Sequence, residues 1–115
     1  MKIRLTLGVL TLCAAHAAYA QNYPVKSVRF VVPFAPSGGT DLIARTLAQN
    51  LTAALGQTFV VDNRGGAGGV IGADMVAKAP ADGYTLLMGT PGPMTINPSL
   101  MAKLPYDTLR DFTPV

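Results

Sequence analysis

The stretch Val28-Arg29-Phe30-Val31-Val32-Pro33-Phe34-Ala35-Pro36-Ser37-Gly38-Gly39-Thr40-Asp41 holds the change from strand to helix that decides the fold class of this chain. Residues 28–32 are nearly continuously apolar and β-branched. Such a run fits a strand buried on both faces, as in a parallel sheet. Pro33 has no N–H and ends the ladder. A loop of small residues, 34–39, leads into Thr40 and Asp41. From 41 to 55 the period changes. Ile43, Leu47, Leu51 and Leu55 recur every four residues, beside Leu42, Ala44, Ala48 and Ala54. That pattern predicts an amphipathic helix, started by Thr40 or Asp41 as N-cap and ended by Gly56.

The same rhythm repeats downstream. Residues 58–62, Thr-Phe-Val-Val-Asp, read as a second strand, and 63–69, Asn-Arg-Gly-Gly-Ala-Gly-Gly, as a second glycine-rich loop. A second helix is predicted over 70–79, with Ile71, Met75, Val76 and Ala79 on one side, stopped by Pro80. Asp82-Gly83 makes a turn, and 84–90 read as a third strand. The order β-loop-α-β-loop-α-β with right-handed crossovers predicts an α/β fold built on a parallel sheet. Beyond Pro91-Gly92-Pro93 a short helix is expected over 97–103.

Ligands of open α/β sheets collect outside the carboxyl ends of the strands. Three loops leave those ends: 34–40, 63–69 and 90–93. The first puts Ser37, Gly38, Gly39, Thr40 and Asp41 at a helix start, where unpaired N–H groups and the positive end of the helix dipole favour an anion. Glycine lets a carboxylate approach the backbone closely. Two readings stand at this point. Pro-Ser-Gly-Gly-Thr-Asp is either a turn with an N-cap or an anion site, and Asp41 either a helix-start charge or a ligand contact. Gly68 and Gly72 serve either close packing or a ligand. Arg64 is either a solvated loop charge or a clamp, and Tyr84 and Tyr106 read as boundary packing residues.

Composition excludes much chemistry. All six acidic residues are Asp; the single Cys and single His, Cys13 and His16, lie in the first twenty residues, and Trp is absent. Residues 21–115 therefore lack Cys, His, Glu and Trp together. Nucleophilic triads and zinc sites have no ligands or bases to use. The Asp residues sit mostly at turns and caps, which disfavours an acid–base pair. No Gly is followed by Lys, so the P-loop pattern is absent, and Ile71 stands where the third Gly of G-x-G-x-x-G belongs. A nucleotide-binding α/β enzyme remains the alternative on fold class alone.

Residues 1–20 read as a secretory signal peptide. Lys2 and Arg4 precede an uncharged, mostly apolar stretch over 5–18, and Ala18-Tyr19-Ala20 forms an A-x-A site for cleavage before Gln21. The stretch is shorter than a membrane span of about 20 apolar residues. Removal leaves 95 of the 115 residues and lowers the net charge from +3 to +1. No basic patch survives, so nucleic acid is not an expected partner. Without cysteine there is no disulfide framework. An exported, periplasmic protein is expected, with no span after cleavage.

The ordered motifs resemble a known family. Tyr23-Pro24-Val25-Lys26, then 31–41, then Ala44-Arg45 resemble the opening of the Bug family, the extracytoplasmic solute receptors of tripartite tricarboxylate transporters. Asp62-Asn63-Arg64-Gly65-Gly66-Ala67-Gly68-Gly69-Val70-Ile71-Gly72 and 76–87 resemble its second and third signatures. Asn97-Pro98-Ser99-Leu100, Leu104-Pro105-Tyr106-Asp107 and 111–115 match later pieces. The resemblance implies a periplasmic binding protein of type II, with 21–115 an incomplete N-terminal lobe whose sheet is mostly parallel. It implies a receptor and not an enzyme, without cofactor or metal. Its expected partners are a small carboxylate ligand and the membrane subunits of such a transporter. Carried over residue by residue, the ligand-binding positions are Phe34, Ser37, Gly38, Gly39, Thr40 and Asp41 in the first loop, Ala67, Gly68 and Gly69 in the second, and Thr90 after the third strand. Ser37 stands where Gly is frequent and Gly66 where Pro is common. Family members continue into a second lobe, so this chain reads as a fragment or a truncated, inactive remnant. On that reading capture by closure, which needs two lobes, is not expected of this piece, and 21–115 alone is expected to behave poorly.

Overall fold

A computed structural model describes residues 23–115. The expected leader, with Cys13 and His16, lies outside the described residues. Three parallel strands form one sheet in the order β2-β1-β3. They are β1 (Val28–Val32), β2 (Phe59–Asn63) and β3 (Thr85–Leu87). Helix α1 (Gly39–Leu55) joins β1 to β2 and helix α2 (Val70–Ala77) joins β2 to β3. The chain then makes a π-helical turn over Gly92–Ile96 and a short helix α3 (Asn97–Leu100).

The register explains the layers. Val28, Phe30 and Val32 stand opposite Phe59, Val61 and Asn63, and Phe30 opposite Leu86. Alternate residues point to one face, and on that face lie Ala44 and Ala48 of α1, closing a core with Phe34, Leu51 and Met88 around it. The other face carries Arg29, Val31, Val60, Asp62 and Leu87. Val31 is fully buried there, while Arg29 Nε donates to Asp62 Oδ2 at 2.6 Å and Arg29 also reaches Met75 of α2. Burial pushes the Asp62 carboxyl up, but hydrogen bonds from Arg29 and Arg64 outweigh it and hold the group below its ordinary pKa.

The parallel sheet, the two crossover helices and the end of α1 at Gly56 agree with the sequence reading. Gly56 has φ 74° and donates its N–H to Thr52 O at 3.0 Å. Other expectations need correction. Helix α1 buries Asp41, Ala44 and Ala48, and leaves Ile43, Leu47 and Leu55 largely exposed. Small side chains let the helix axis approach the sheet, so Ile43, Leu47 and Leu55 lie off the contact line while Leu51 packs against the core. The N-cap is Gly38, with no side-chain cap bond, and neither Thr40 nor Asp41 fills that role. Helix α2 buries Gly72 and Ala73 and exposes Ile71. It ends at Ala77, the third strand spans only 85–87, and the last helix stops at Leu100.

Candidate functional site

The carboxyl ends of the three strands open onto three loops, and the structure brings these together. A Cβ built on Gly92 of the third loop would lie 3.4 Å from Gly68 O and 3.9 Å from Phe34 Cζ. One built on Gly69 would lie 3.1 Å from the Pro93 ring and 3.5 Å from Pro33 Cβ. Residues from after β1, β2 and β3 are thus in mutual contact, and Gly69, with φ 91°, sits at a crossing point that disfavours any side chain. Tyr106 anchors the third loop from below. It is buried and donates its hydroxyl to Pro93 O at 2.7 Å, and burial pushes its pKa up.

The first loop ends at the start of α1. The first helical hydrogen bond runs from Leu42 N–H to Gly38 O at 3.0 Å, and no side chain caps the turn. The N–H groups of Gly39, Thr40 and Asp41 precede that bond and carry the positive end of the dipole. Gly38 and Gly39 are exposed, and nothing lies within 4 Å of a Cβ built on either. A ligand carboxylate therefore has room to reach this backbone.

Asp41 is employed differently from its neighbours. It is buried, and its Oδ2 accepts from Ser37 N–H at 3.0 Å and from Arg45 Nε at 2.9 Å. Its Oδ1 accepts from Asn63 Nδ2 at 2.9 Å. The Arg45 hydrogen bond, followed by those of Ser37 and Asn63, lowers its pKa to about 2. Both oxygens are thus engaged in holding the loop. Ser37 contributes its N–H to that bond, leaving its exposed side chain on a backbone with φ 73°. Phe34 is half-buried against the core, and its carbonyl accepts from Asn63 Nδ2 at 3.2 Å.

The second loop is shaped by its backbone. Gly66, Ala67, Gly68 and Gly69 all have positive φ, from 48° at Ala67 to 129° at Gly66. Gly69 N–H turns back to Gly66 O at 3.0 Å. Gly68 O accepts from Asn97 Nδ2 at 3.1 Å, which ties this loop to α3. Arg64 is paired with Asp62 of β2, its Nε 2.9 Å from Oδ1. Gly72, in α2, is a packing position: a Cβ there would lie 2.8 Å from Arg64 O and 2.9 Å from Pro33 Cα. Thr90 follows β3, and its Oγ1 is buried without a hydrogen-bond partner among the described residues.

Sequence reasoning missed Asn63, Arg45 and Asn97. Asn63 and Asn97 act through tertiary contacts, whereas Arg45 also pairs with Asp41 four residues before it on α1, a spacing visible in the sequence. A groove of about 460 Å³ also lies between α1 and β2, lined by Arg45, Ala48, Gln49, Thr52, Thr58 and Phe59 among others. None of its lining residues belongs to the three loops. Among the described residues no cluster of His, Cys, Asp or Glu suits a metal ion, and no helix is long and apolar enough to cross a membrane.

Comparison with known proteins adds an independent line. A family model described as tripartite tricarboxylate transporter family receptor matches residues 43–115. The protein BugT of Bordetella pertussis is 47% identical over 112 residues, covering 95% of this chain and 34% of BugT. An R. palustris protein solved with adipate is 48% identical, with a TM-score of 0.78 over 81% of this chain and 31% of its own. MatC from Rhodopseudomonas palustris, solved with bound malate, is 43% identical, with a TM-score of 0.77 over 81% of this chain and 32% of its own. The chain spans about a third of the length of the curated relatives it matches.

Proposed function

The chain belongs to the tripartite tricarboxylate transporter receptor family, and from that premise we propose that it forms one wall of a binding site for a small carboxylate. The carrying observation is the uncapped, exposed start of α1, which follows the first of three loops gathered at the carboxyl end of the sheet. A carboxylate there gains charge-assisted hydrogen bonds without any catalytic group. On this reading Gly38, Gly39 and Thr40 provide the main anion surface. Ala67, Gly68 and Gly69 add the second backbone edge, Thr90 after β3 contributes from the third loop, and Phe34 packs behind it. Ser37 and Asp41 shape the first loop. The adipate and malate held by two solved relatives support a small acid as ligand.

The protein acts, on the same reading, as a periplasmic receptor that delivers its acid to the membrane subunits of a tripartite transporter. Residues 1–20 direct export and are cleaved before Gln21, and 21–115 contribute to the first lobe. The intact mass of periplasmic protein checks the cleavage point, and any mature N-terminus other than Gln21 contradicts it. Calorimetric titration of the full-length mature protein with mono-, di- and tricarboxylates tests the function. Heat from at least one acid is expected; no heat from any of them overturns the proposal.

A further inference from the structure

Asn63 is the last residue of β2 and the first of the second loop. Its Nδ2 faces Asp41 Oδ1 at 2.9 Å and Phe34 O at 3.2 Å, and its Oδ1 receives Arg45 Nη2 at 3.2 Å. The amide can sit only this way round. A carboxylate and a carbonyl only accept, and a guanidinium only donates. Asp41 passes the restraint on to Ser37 N–H. The first loop is therefore gripped at both ends, Phe34 and Ser37, by side chains referred to the end of β2.

We propose that Asn63 is a positioning residue for carboxylate capture, fixing the first loop against the second so that backbone N–H groups of both converge on one anion. It does so without touching that anion. The inference rests on the carboxylate-binding reading above and names what keeps its two loops in register. Phe34 O and Asp41 Oδ1 would each lose a donor if the amide were removed. Asparagine is the side chain of this length that serves two acceptors and one donor at once, and aspartate of the same shape serves neither acceptor when ionised. The charged groups bonded to this cluster are Asp41 and Arg45, both from α1. β1 presents Val32 to Asn63. Arg29 and Arg64 each pair with Asp62, which lies on the opposite face of the sheet.

Two variants of the full-length mature protein, Asn63→Ala and Asn63→Asp, are titrated calorimetrically with succinate and citrate beside the parent. The alanine variant is expected to bind roughly tenfold or more weakly, because two partly buried acceptors lose their donor. The aspartate variant places a second carboxyl beside Asp41. Two such groups share a proton as the pH falls, which restores one donor. Its affinity relative to the parent at the same pH is therefore expected to rise from pH 7 to pH 5. A packing role alone would leave that ratio flat. A second readout needs no ligand: the backbone amides of Ser37, Gly39 and Thr40 are expected to shift in ¹⁵N spectra of the aspartate variant and to move back as pH falls.

No heat from the parent with these or the wider set of acids overturns the carboxylate reading itself. Heat from the parent with undiminished binding by the alanine variant overturns the inference about Asn63 alone. Unshifted Ser37, Gly39 and Thr40 amides in the aspartate variant also overturn it.

Discussion

The two β-loop-α units of this chain look alike in sequence and are held in shape by different forces. The first, from β1 through α1, is tied by side chains: Asp41, Arg45 and Asn63 close a polar network around the Phe34–Ser37 backbone. The second, from β2 through α2, is tied by backbone conformation and contact. Four consecutive residues with positive φ make its loop, and Gly72 rests against Pro33 and the Arg64 carbonyl. The first unit is therefore sensitive to charge and pH, the second to side-chain volume. Both forms of restraint leave helix-start N–H groups facing the same end of the sheet, which is what a receptor for an anion requires.

Volume should break the second unit most severely. Gly72→Val is expected to cost about 3 kcal/mol through overpacking, since the new Cβ meets backbone that cannot step aside. Urea titration monitored by circular dichroism reads this, and an unchanged midpoint would remove the contact basis of the comparison. The next effect belongs to the first unit and depends on pH. The folded pKa of Asp41 is lowered from 3.8 to about 2, with the Arg45 hydrogen bond its largest cause. A lowered folded pKa gives stability that is fully present above the unfolded value and lost as pH falls through the folded one. The parent's stability advantage over Asp41→Ala is therefore expected to be complete above pH 5. It should shrink from near pH 4 downward and lose its ionic part below pH 2. Melting both proteins across that range checks it, and an advantage independent of pH would contradict the charge-based account.

The smallest expected effect has the opposite sign. Ser37 holds φ 73°, which a side chain with a Cβ adopts only under strain. Ser37→Gly is expected to raise stability by up to about 1 kcal/mol, part of the relief being offset by the freer unfolded chain. A loss of stability in the same urea assay would show that the hydroxyl contributes to the loop.

The difference between the units also explains what was legible in the sequence. The β-branched runs 28–32 and 59–61 declared the strands because parallel pairing buries both faces. The second glycine-rich loop was visible because positive φ selects glycine, as at Gly66, Gly68 and Gly69, and Gly72, four residues after Gly68, was weighed as a packing position. The helix faces were misread. Ile43 and Leu47 dominate the periodic pattern, yet Ala44 and Ala48 meet the sheet, because close approach depends on small volume and the pattern measures hydrophobicity. The start of α1, read as either an N-capped turn or an anion site, has no side-chain cap and exposed glycines, while Asp41 is taken up by the loop that supports it. Asn63 was invisible as a partner of Phe34 and Asp41, since 29 and 22 residues separate them in the chain. A contact of that kind exists only once the strands are paired.

The central claim is that an acid is held by backbone N–H groups at the strand ends. Amide chemical-shift mapping of the ¹⁵N-labelled full-length protein, titrated with whichever carboxylate gives heat, tests it most directly. The largest shifts are expected at Gly39, Thr40 and the 67–69 loop, with little change along the α1–β2 groove. Shifts centred on Arg45, Gln49, Thr52 and Thr58, with the helix start and second loop unmoved, would place the ligand in that groove and contradict the account.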